Sequence, residues 1–262
     1  MLHHVATGSG PQTVFLLHGF LGSGRNLGAL TRRFTAQDPQ MKVVQVDLPG
    51  HGKSPGLSPD ASLQDLAKEV AQLADHLSVP KFRIVGHSMG GRVGLAMLDA
   101  HAERVVRLDL LDITPGPTHH LPVGDVINPL LAAPDQAPDR RTMQTFFRES
   151  GLSAAMTDWL LMNLDKDAAG YRWRIDRRAL ATLHQRHGFA DLWPVVERYP
   201  ERIWTIRGGD SKYLSDADAT RMTRLGIPVR TVAGAGHFVH ADNPDETFEA
   251  LLDTQRPQPE AR

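Results

Sequence analysis

Six short apolar runs, rich in β-branched residues, recur along the chain between polar stretches. They cover residues 13–17, 42–46, 82–85, 105–111, 202–206 and 228–232. Near-continuous apolar runs of this length are typical of strands buried on both faces of a parallel sheet, whereas strands with one wet face alternate between apolar and polar residues. The pattern therefore predicts a parallel sheet at the centre of the fold.

Helical patterns lie between these runs. In residues 62–77, large apolar side chains recur at spacings of three and four, and Ser62 with Asp65 three positions later forms a typical capping box at the start. Residues 89–101 and 244–254 also predict helices. Strands that alternate with helices indicate a doubly wound α/β core with a mostly parallel sheet.

The alternation breaks between residues 115 and 190. Six prolines punctuate the stretch from Pro115 to Pro138, and helical patterns follow around residues 142–164 and 176–187. We therefore expect a core formed by residues 1–114 and 191–262, with a mostly helical cap inserted at residues 115–190.

Composition narrows the classes of function. A chain of 262 residues is long enough for one large α/β domain with an insertion. The formal net charge of -1 gives no reason to expect nucleic acid or an anionic membrane as partner. Cysteine is absent, which excludes disulfides, thiolate metal sites and a cysteine nucleophile. The first ten residues, MLHHVATGSG, do not resemble a signal peptide, and no long apolar segment follows, so we expect a cytoplasmic protein without a membrane span.

The stretch from Gly86 to Gly90, GHSMG, fits the pattern G-x-S-x-G at a predicted strand-to-helix junction. A sharp turn at that junction strains the backbone of Ser88 and lifts its hydroxyl clear of the sheet, at the positive end of a helix dipole. Side chains at the two flanking positions would collide with neighbouring backbone, which explains the glycines. The alternative is a glycine-rich turn with an incidental N-cap serine. The context favours Ser88 as a nucleophile.

A serine nucleophile needs a base. His237 ends the stretch AGAGH between the last predicted strand and the last predicted helix, where a loop reaches across the top of the sheet. We favour His237 over His240, which lies closer to the start of the helix and lacks the glycine-rich approach.

Backbone N–H groups must also be available to hold a developing oxyanion. The loop HGFLG, residues 18–22, follows the first predicted strand, and the N–H groups of Phe20 and Met89 are the expected pair of donors. A tight loop with no role in chemistry is the alternative.

Four motifs in the expected order together resemble the α/β-hydrolase superfamily. They are HGFLGSG, DLPGHGKS (47–54), GHSMGG and the late G-x-G-H, and they span nearly the whole chain. The insertion resembles the cap of that family. Although DLPGHGKS ends like a phosphate-binding loop, Asp47 stands where that loop requires glycine, and no helical pattern follows it directly. In the superfamily it is a structural turn.

The resemblance implies a carboxylate that orients the histidine, and two residues compete for this role. Many relatives carry it in a G-x-x-D pattern after the penultimate strand, where this chain reads Arg207-Gly-Gly-Asp210-Ser211. Asp210 is therefore one residue early, and Ser211 occupies the place of the acid.

The alternative is Asp112, directly after the strand that follows the nucleophile helix. Asp112 in D-I-x-P context, with R-G-x-x-S-x-Y later, resembles small bacterial esterases and thioesterases related to abhydrolase-domain proteins. In that branch the serine supports the catalytic cluster, and we favour Asp112.

These motifs predict a serine hydrolase that cleaves small-molecule esters or acyl thioesters through an acyl-enzyme, without cofactor or metal. Candidates for the substrate pocket are His87, Phe146, Phe147, Trp159, Leu160, Tyr171, Trp173 and Phe238, although packing of the cap onto the core explains most such apolar residues equally well. Five arginines between positions 172 and 186 offer either a solvated face or an attraction for an anionic leaving group such as coenzyme A.

Two other functions stay open. A carbon–carbon lyase of the menaquinone pathway shares the fold and the motif GxSMGGR, which residues 86–92 match, but the missing G-x-x-D acid disfavours it. A non-catalytic ligand receptor on the same fold is disfavoured by the paired Ser88 and His237. The oligomeric state and the physiological substrate are not indicated by the sequence.

Overall fold

A seven-stranded sheet forms the centre of the computed structural model, which describes residues 1–58, 60–118 and 124–255, with the side chains of 124 and 125 excepted. The strands in chain order are β1 (His4–Thr7), β2 (Gln12–Leu17), β3 (Met41–Val46), β4 (Phe82–His87), β5 (Val105–Leu111), β6 (Gln136–Ala137), β7 (Leu164–Asp167), β8 (Gly170–Trp173), β9 (Ile203–Gly208) and β10 (Val229–Val232). The main sheet has the order β1-β3-β2-β4-β5-β9-β10. Only β1 is antiparallel to its neighbour within it. The predicted parallel α/β core is confirmed.

Helices cover both faces of this sheet. They are α1 (Gly28–Gln37), α2 (Leu63–His76), α3 (Met89–Ala100), α4 (Gly124–Ala132), α5 (Arg140–Glu149), α6 (Ala154–Leu160), α7 (Arg177–Gly188), α8 (Trp193–Arg198), α9 (Asp216–Arg224), α10 (Val239–Asp242) and α11 (Pro244–Leu252), with 3₁₀ turns at Gly24–Leu27, Leu161–Asn163 and Pro200–Arg202. The capping box predicted at Ser62 and Asp65 starts α2. No helix of the described ranges is long and apolar enough to cross a membrane.

Strand β2 shows how one apolar run serves two cores. Val14 and Leu16 are buried in the cluster that contains residues of α1 and α11. Phe15 and Leu17 are buried in the larger cluster that contains residues of α2 and α3. Because successive strand residues point to opposite faces, a strand covered on both sides must be apolar at every position. The continuous run in the sequence is the result.

Between β5 and β9 the chain leaves the main sheet. We call residues 115–190 the cap segment. It carries α4 to α7 and a second, three-stranded antiparallel sheet in the order β6-β8-β7. The apolar pattern of the sequence did not predict this sheet. The helical pattern expected over residues 142–164 is divided, because Gly151 has a φ of +88° after α5 and Ser153 caps a new helix, α6. A left-handed residue that favours glycine ends a helix in this way.

Candidate active site

Ser88 lies at the turn between β4 and α3, where its backbone adopts φ 51° and ψ −118°. The flanking glycines make this turn possible. A Cβ atom at Gly90 would lie 2.2 Å from the carbonyl oxygen of Leu17, and one at Gly86 would lie 2.6 Å from the backbone of Gly90. Both distances are shorter than any tolerable carbon contact. The turn holds Ser88 half-buried at the wall of a cavity, at the N-terminus of a twelve-residue helix.

Asp112 and His237 meet beside Ser88. Asp112 follows β5 directly, has a φ of 51° and is fully buried. Its Oδ2 lies 2.8 Å from Nδ1 of His237, so the ring donates its Nδ1 proton to the carboxylate and leaves Nε2 free to accept one. The N–H of Gly208 donates to the other carboxylate oxygen over 3.0 Å. These bonds fix the tautomer and the tilt of the imidazole.

The two other candidates for base and acid lie outside this arrangement. Asp210 has an exposed side chain, and its backbone N–H donates to the carbonyl of Ala235. His240 is buried against His87, and burial lowers its pKa to about 4. The structure therefore places Asp112 and His237 in the lining of one cavity with Ser88, and directs Asp210 to solvent.

Ser211 and Tyr213 complete the surroundings of the imidazole. The hydroxyl of Ser211 donates to Asp112 Oδ2 and accepts from the N–H of Tyr213 over 3.2 Å. The ring of Tyr213 lies flat on His237, with centroids 3.6 Å apart and planes inclined by 16°. Burial and the nearby Asp112 raise the pKa of Tyr213 to about 12, so its phenol stays neutral. A motif of three residues, S-x-Y, thus contacts both the carboxylate and the face of the ring.

The loop after β2 lies opposite the Ser88 turn. A Cβ atom at Gly19 would stand 3.3 Å from Cβ of Ser88, which shows how closely this loop approaches the serine. The N–H groups of Phe20 and Met89 donate to no acceptor in the parts of the chain that the structure covers. Two unpartnered donors near the serine are what an oxyanion requires.

The shape of this loop depends on His18. Its Nδ1 donates to the carbonyl of Gly19 over 2.7 Å, and its Nε2 accepts from the N–H of Leu48 over 3.0 Å. Burial lowers the pKa of His18 to about 4, which keeps the ring neutral and able to accept. The turn DLPGHG therefore braces the loop through one histidine.

A cavity of about 390 Å³ opens above Ser88, between the core and the cap segment. Its wall includes Ser88, Asp112 and His237 as well as Trp159 from α6 and Phe238. A second cavity of about 330 Å³ lies on the side of the HGFLG loop and shares His87, Trp159 and Phe238 with the first. Ser88 lines the first cavity and is not among the described residues of the second, which adjoins the first through these shared side chains.

Three of the predicted pocket residues, His87, Trp159 and Phe238, line these cavities. Phe146, Phe147, Leu160, Tyr171 and Trp173 do not line them, so this part of the prediction is wrong. These five residues pack into the apolar core instead, where Phe147 and Leu160 are fully buried. Apolar periodicity marks a buried helix face, and the interior of the cap needs such a face as much as a substrate does.

His87 lies beside His237 but takes no part in the hydrogen bond between Asp112 and His237. Its Nε2 donates to the carbonyl of His237 over 2.8 Å. Burial, together with the neighbouring His240 and His237, holds the pKa of His87 well below its usual range. A neutral ring here supports the loop that carries His237.

The cavity residues that were not predicted as site residues include four with a titratable side chain: Arg92, His184, His187 and Tyr213. Tyr213 was within reach of the sequence, because it ends the R-G-x-x-S-x-Y motif. Arg92 follows Ser88 by four positions, one helical turn, and so shares its face of α3. The two histidines gave no signal, since a helix with several polar residues is common on any surface.

The arginine-rich stretch is not aimed at the site. Arg172, Arg174, Arg177 and Arg186 pair with Asp167, Asp165, Asp135 and Asp60 respectively. Arg178 is exposed and borders a groove with Trp173, away from the two cavities. The four pairs account for the charge of four of the five arginines without an anionic ligand. Among the described residues, no group of acids and histidines could hold a metal ion.

Comparisons with known proteins agree with the observed fold. A profile of the alpha/beta hydrolase family matches residues 14–250. The sn-1-specific diacylglycerol lipase ABHD11 of Mus musculus is 30% identical over 250 residues, covering 92% of this chain and 80% of the lipase. Esterase YbfF of Escherichia coli is 27% identical over 243 residues, covering 91% of both chains. The solved structure of a marine microorganism esterase superposes with a TM-score of 0.85 at 24% identity, covering 96% of this chain and 98% of that one.

Proposed function

We propose that this chain, which belongs to the alpha/beta hydrolase family, cleaves carboxylic esters through an acyl-enzyme formed on Ser88. One observation carries the proposal: the buried Asp112 holds Nδ1 of His237 at 2.8 Å in a cavity that Ser88 also lines. A serine, a histidine and a carboxylate in this relation are the components of serine-based acyl transfer. The esterase and lipase relatives give the same class of reaction.

In the first half of the proposed reaction, Ser88 Oγ attacks the carbonyl carbon of the ester and His237 Nε2 takes its proton. The carbonyl oxygen becomes an oxyanion, which the N–H groups of Phe20 and Met89 hold. Asp112 stabilises the imidazolium. When the carbon–oxygen bond to the alcohol breaks, His237 gives its proton to the leaving oxygen, and the alcohol departs.

In the second half, water attacks the acyl-enzyme. His237 takes a proton from the water as its oxygen bonds to the carbonyl carbon, and returns that proton to Ser88 Oγ when the acid is released. The balance is one ester and one water in, one acid and one alcohol out. No cofactor is needed for either half.

The cavity walls favour an uncharged substrate. Arg92 is the only lysine or arginine among the described lining residues of both cavities. Its two terminal nitrogens donate to backbone carbonyls. The described lining of the two cavities therefore holds no free cationic group for the phosphates of coenzyme A. In α7, Arg177 and Arg186 are paired elsewhere, and Arg178 borders a separate groove. We therefore favour neutral carboxylic esters over acyl-coenzyme A thioesters, and assign the acyl chain to the larger cavity.

The test is hydrolysis of p-nitrophenyl esters of graded chain length and of matching acyl-coenzyme A thioesters by the unaltered protein and by Ser88→Ala. We expect ester turnover, with a fall in kcat of roughly 10⁴-fold or more in Ser88→Ala, and covalent labelling of Ser88 by a fluorophosphonate. Ester turnover retained in the variant would refute the nucleophile. An unlabelled serine with no turnover would favour a ligand receptor, and faster thioester cleavage would overturn the substrate preference.

A further inference from the structure

Arg92 reaches from the nucleophile helix α3 to both ends of the cap segment. Its Nη1 donates to the carbonyls of Thr114 and Gly116 over 3.1 and 2.8 Å, where the chain enters the cap segment. Its Nη2 donates to the carbonyls of His187 and Ala190 over 2.9 and 2.6 Å, where the chain leaves it. Each terminal nitrogen of Arg92 thus binds one of the two crossings, the places where the chain passes between the core and the cap segment.

This arrangement is unusual for a buried cation. Arg92 is 2% exposed, and its four hydrogen bonds go to backbone carbonyls, with the charge of Asp191 acting on it without a hydrogen bond. Burial lowers its pKa to about 10, so it stays charged at neutral pH. A guanidinium with fixed, planar donors can bind four carbonyl oxygens at once, and a lysine ammonium has only three donors at one point. Charge-assisted hydrogen bonds of this kind are stronger than neutral ones.

The two crossings are also joined to each other. The N–H of Thr118 donates to the carbonyl of Gly188 over 2.7 Å, and the N–H of Leu192 donates to that of Pro115 over 2.9 Å. They form a neck, which we define as residues 114–118 and 187–192. Backbone hydrogen bonds hold the neck together, and Arg92 connects it to α3, the helix that begins one residue after Ser88.

The neck is part of the substrate space. Thr114, Thr118 and His187 line the larger cavity together with Arg92 itself. Any shift of the neck against α3 therefore changes the distance between Ser88 and the opposite wall. The remaining nitrogen of Arg92, Nε, is buried without a partner. A substrate anion cannot reach that atom, so a direct role in binding an anion does not explain the residue.

We propose that Arg92 is a positioning residue that ties both ends of the cap segment to the nucleophile helix and thereby fixes the depth of the acyl cavity. The consequence for chain-length selection rests on the proposed esterase function. The tie itself does not, and can be measured without any substrate.

The experiment compares Arg92→Lys and Arg92→Gln with the control Arg186→Met. Arg186 also joins the cap segment to the core, through a 2.9 Å bond to Asp60, but both side chains are substantially exposed. We expect amide hydrogen exchange in the neck to become at least about tenfold faster in both Arg92 variants, because its carbonyls lose their donors. Exchange in α2 should be unchanged, and Arg186→Met should match the unaltered protein throughout.

The kinetic readout is the ratio of kcat/KM between the best and the worst p-nitrophenyl ester, from acetate to decanoate. We expect this ratio to fall at least about fivefold in Arg92→Lys, since a looser neck accepts more chain lengths, and to stay within about twofold in Arg186→Met. Unchanged exchange in the neck of a folded Arg92 variant would overturn the tie. Faster exchange with an unchanged ratio would overturn the control of chain length. If the unaltered protein cleaves no ester, the proposed function fails while the exchange result still decides the tie.

Discussion

Replacement of Asp112 by asparagine tests the proposed triad most directly. Three donors converge on this carboxylate: Nδ1–H of His237, the hydroxyl of Ser211 and the N–H of Gly208. An asparagine amide has one oxygen to accept with. If that oxygen keeps the bond to Gly208, the NH₂ group faces His237 and forces its Nδ1 to become an acceptor. The proton then sits on Nε2, where it blocks transfer from Ser88.

The cost follows from losing both the tautomer and the charge. The same change in other serine-based triads lowers kcat about 10⁴-fold, which corresponds to about 5 kcal/mol of transition-state stabilisation. We expect a loss of that order for Asp112→Asn, measured as kcat for a short p-nitrophenyl ester. KM should change little, because the carboxylate lies behind the imidazole and not against the substrate. Thermal unfolding of the variant shows whether the fold is retained.

Asp210→Asn is the matched control. It makes the same replacement of a carboxylate by an amide, but the side chain of Asp210 is exposed and makes no hydrogen bond to His237. We expect kcat within about twofold of the unaltered protein. A larger loss in Asp210→Asn than in Asp112→Asn would refute the assignment of the acid. A loss below about tenfold in Asp112→Asn would show that the carboxylate does not orient the base.

Three further predictions follow from the buried groups. Burial lowers the pKa of His18 and His240 to about 4, so the unfolded chain takes up protons below about pH 6.5 that the fold excludes. The free energy of unfolding should fall by roughly 2 kcal/mol per such histidine at pH 5; an equal Tm at pH 7.5 and pH 5 would contradict this. Tyr213→Leu should lower kcat about fivefold, because it removes the ring that stacks on the imidazolium of His237. Tyr213→Phe keeps the stacked ring and should have the kcat of the unaltered protein. Equal kcat in the two variants would show that the stacking has no role. Gly90→Ala places a methyl group 2.2 Å from a carbonyl oxygen. It should lower the free energy of unfolding, measured by chemical denaturation, by roughly 3 kcal/mol. In the control Gly56→Ala the methyl group meets open space, and the loss should be well under about 1 kcal/mol.

The sequence predicted the core well because the core obeys strong periodicities. All six apolar runs became strands of the main sheet, and the helices predicted at residues 62–77, 89–101 and 244–254 lie within three residues of α2, α3 and α11. Strand β1 was missed because it is short, mostly exposed and paired on one side only. Its hydrogen bonds depend on β3, and no local pattern encodes them.

The cap segment gave weaker signals for a related reason. The hairpin of β7 and β8 contains Leu164, Tyr171 and Trp173 among charged residues, and it is stabilised by pairing within the cap. Aromatic residues there pack into the apolar core, whereas Trp159 and Phe238 line the cavity that Ser88 also lines. Which side of a helix meets a cavity depends on the angle at which the cap rests on the core, and only contacts distant in sequence set that angle.

Glycine-flanked motifs of similar appearance do different work in this chain. In GHSMG the glycines admit a strained serine beside neighbouring backbone. In DLPGHG the polar residues serve structure: Asp47 accepts from the N–H groups of Gly24 and Lys53 over 2.8 Å each. The N–H of the next residue, Leu48, donates to His18, which also bonds to Gly19 in the HGFLG loop, the proposed source of an oxyanion donor. Both motifs therefore shape the surroundings of Ser88. GHSMG presents the hydroxyl of Ser88, and DLPGHG holds the HGFLG loop in position opposite it. Pre-organised donors lose their effect when they are displaced by about an ångström. A mutation in the DLPGHG turn should therefore lower kcat, although no residue of the turn is among the described lining of either cavity.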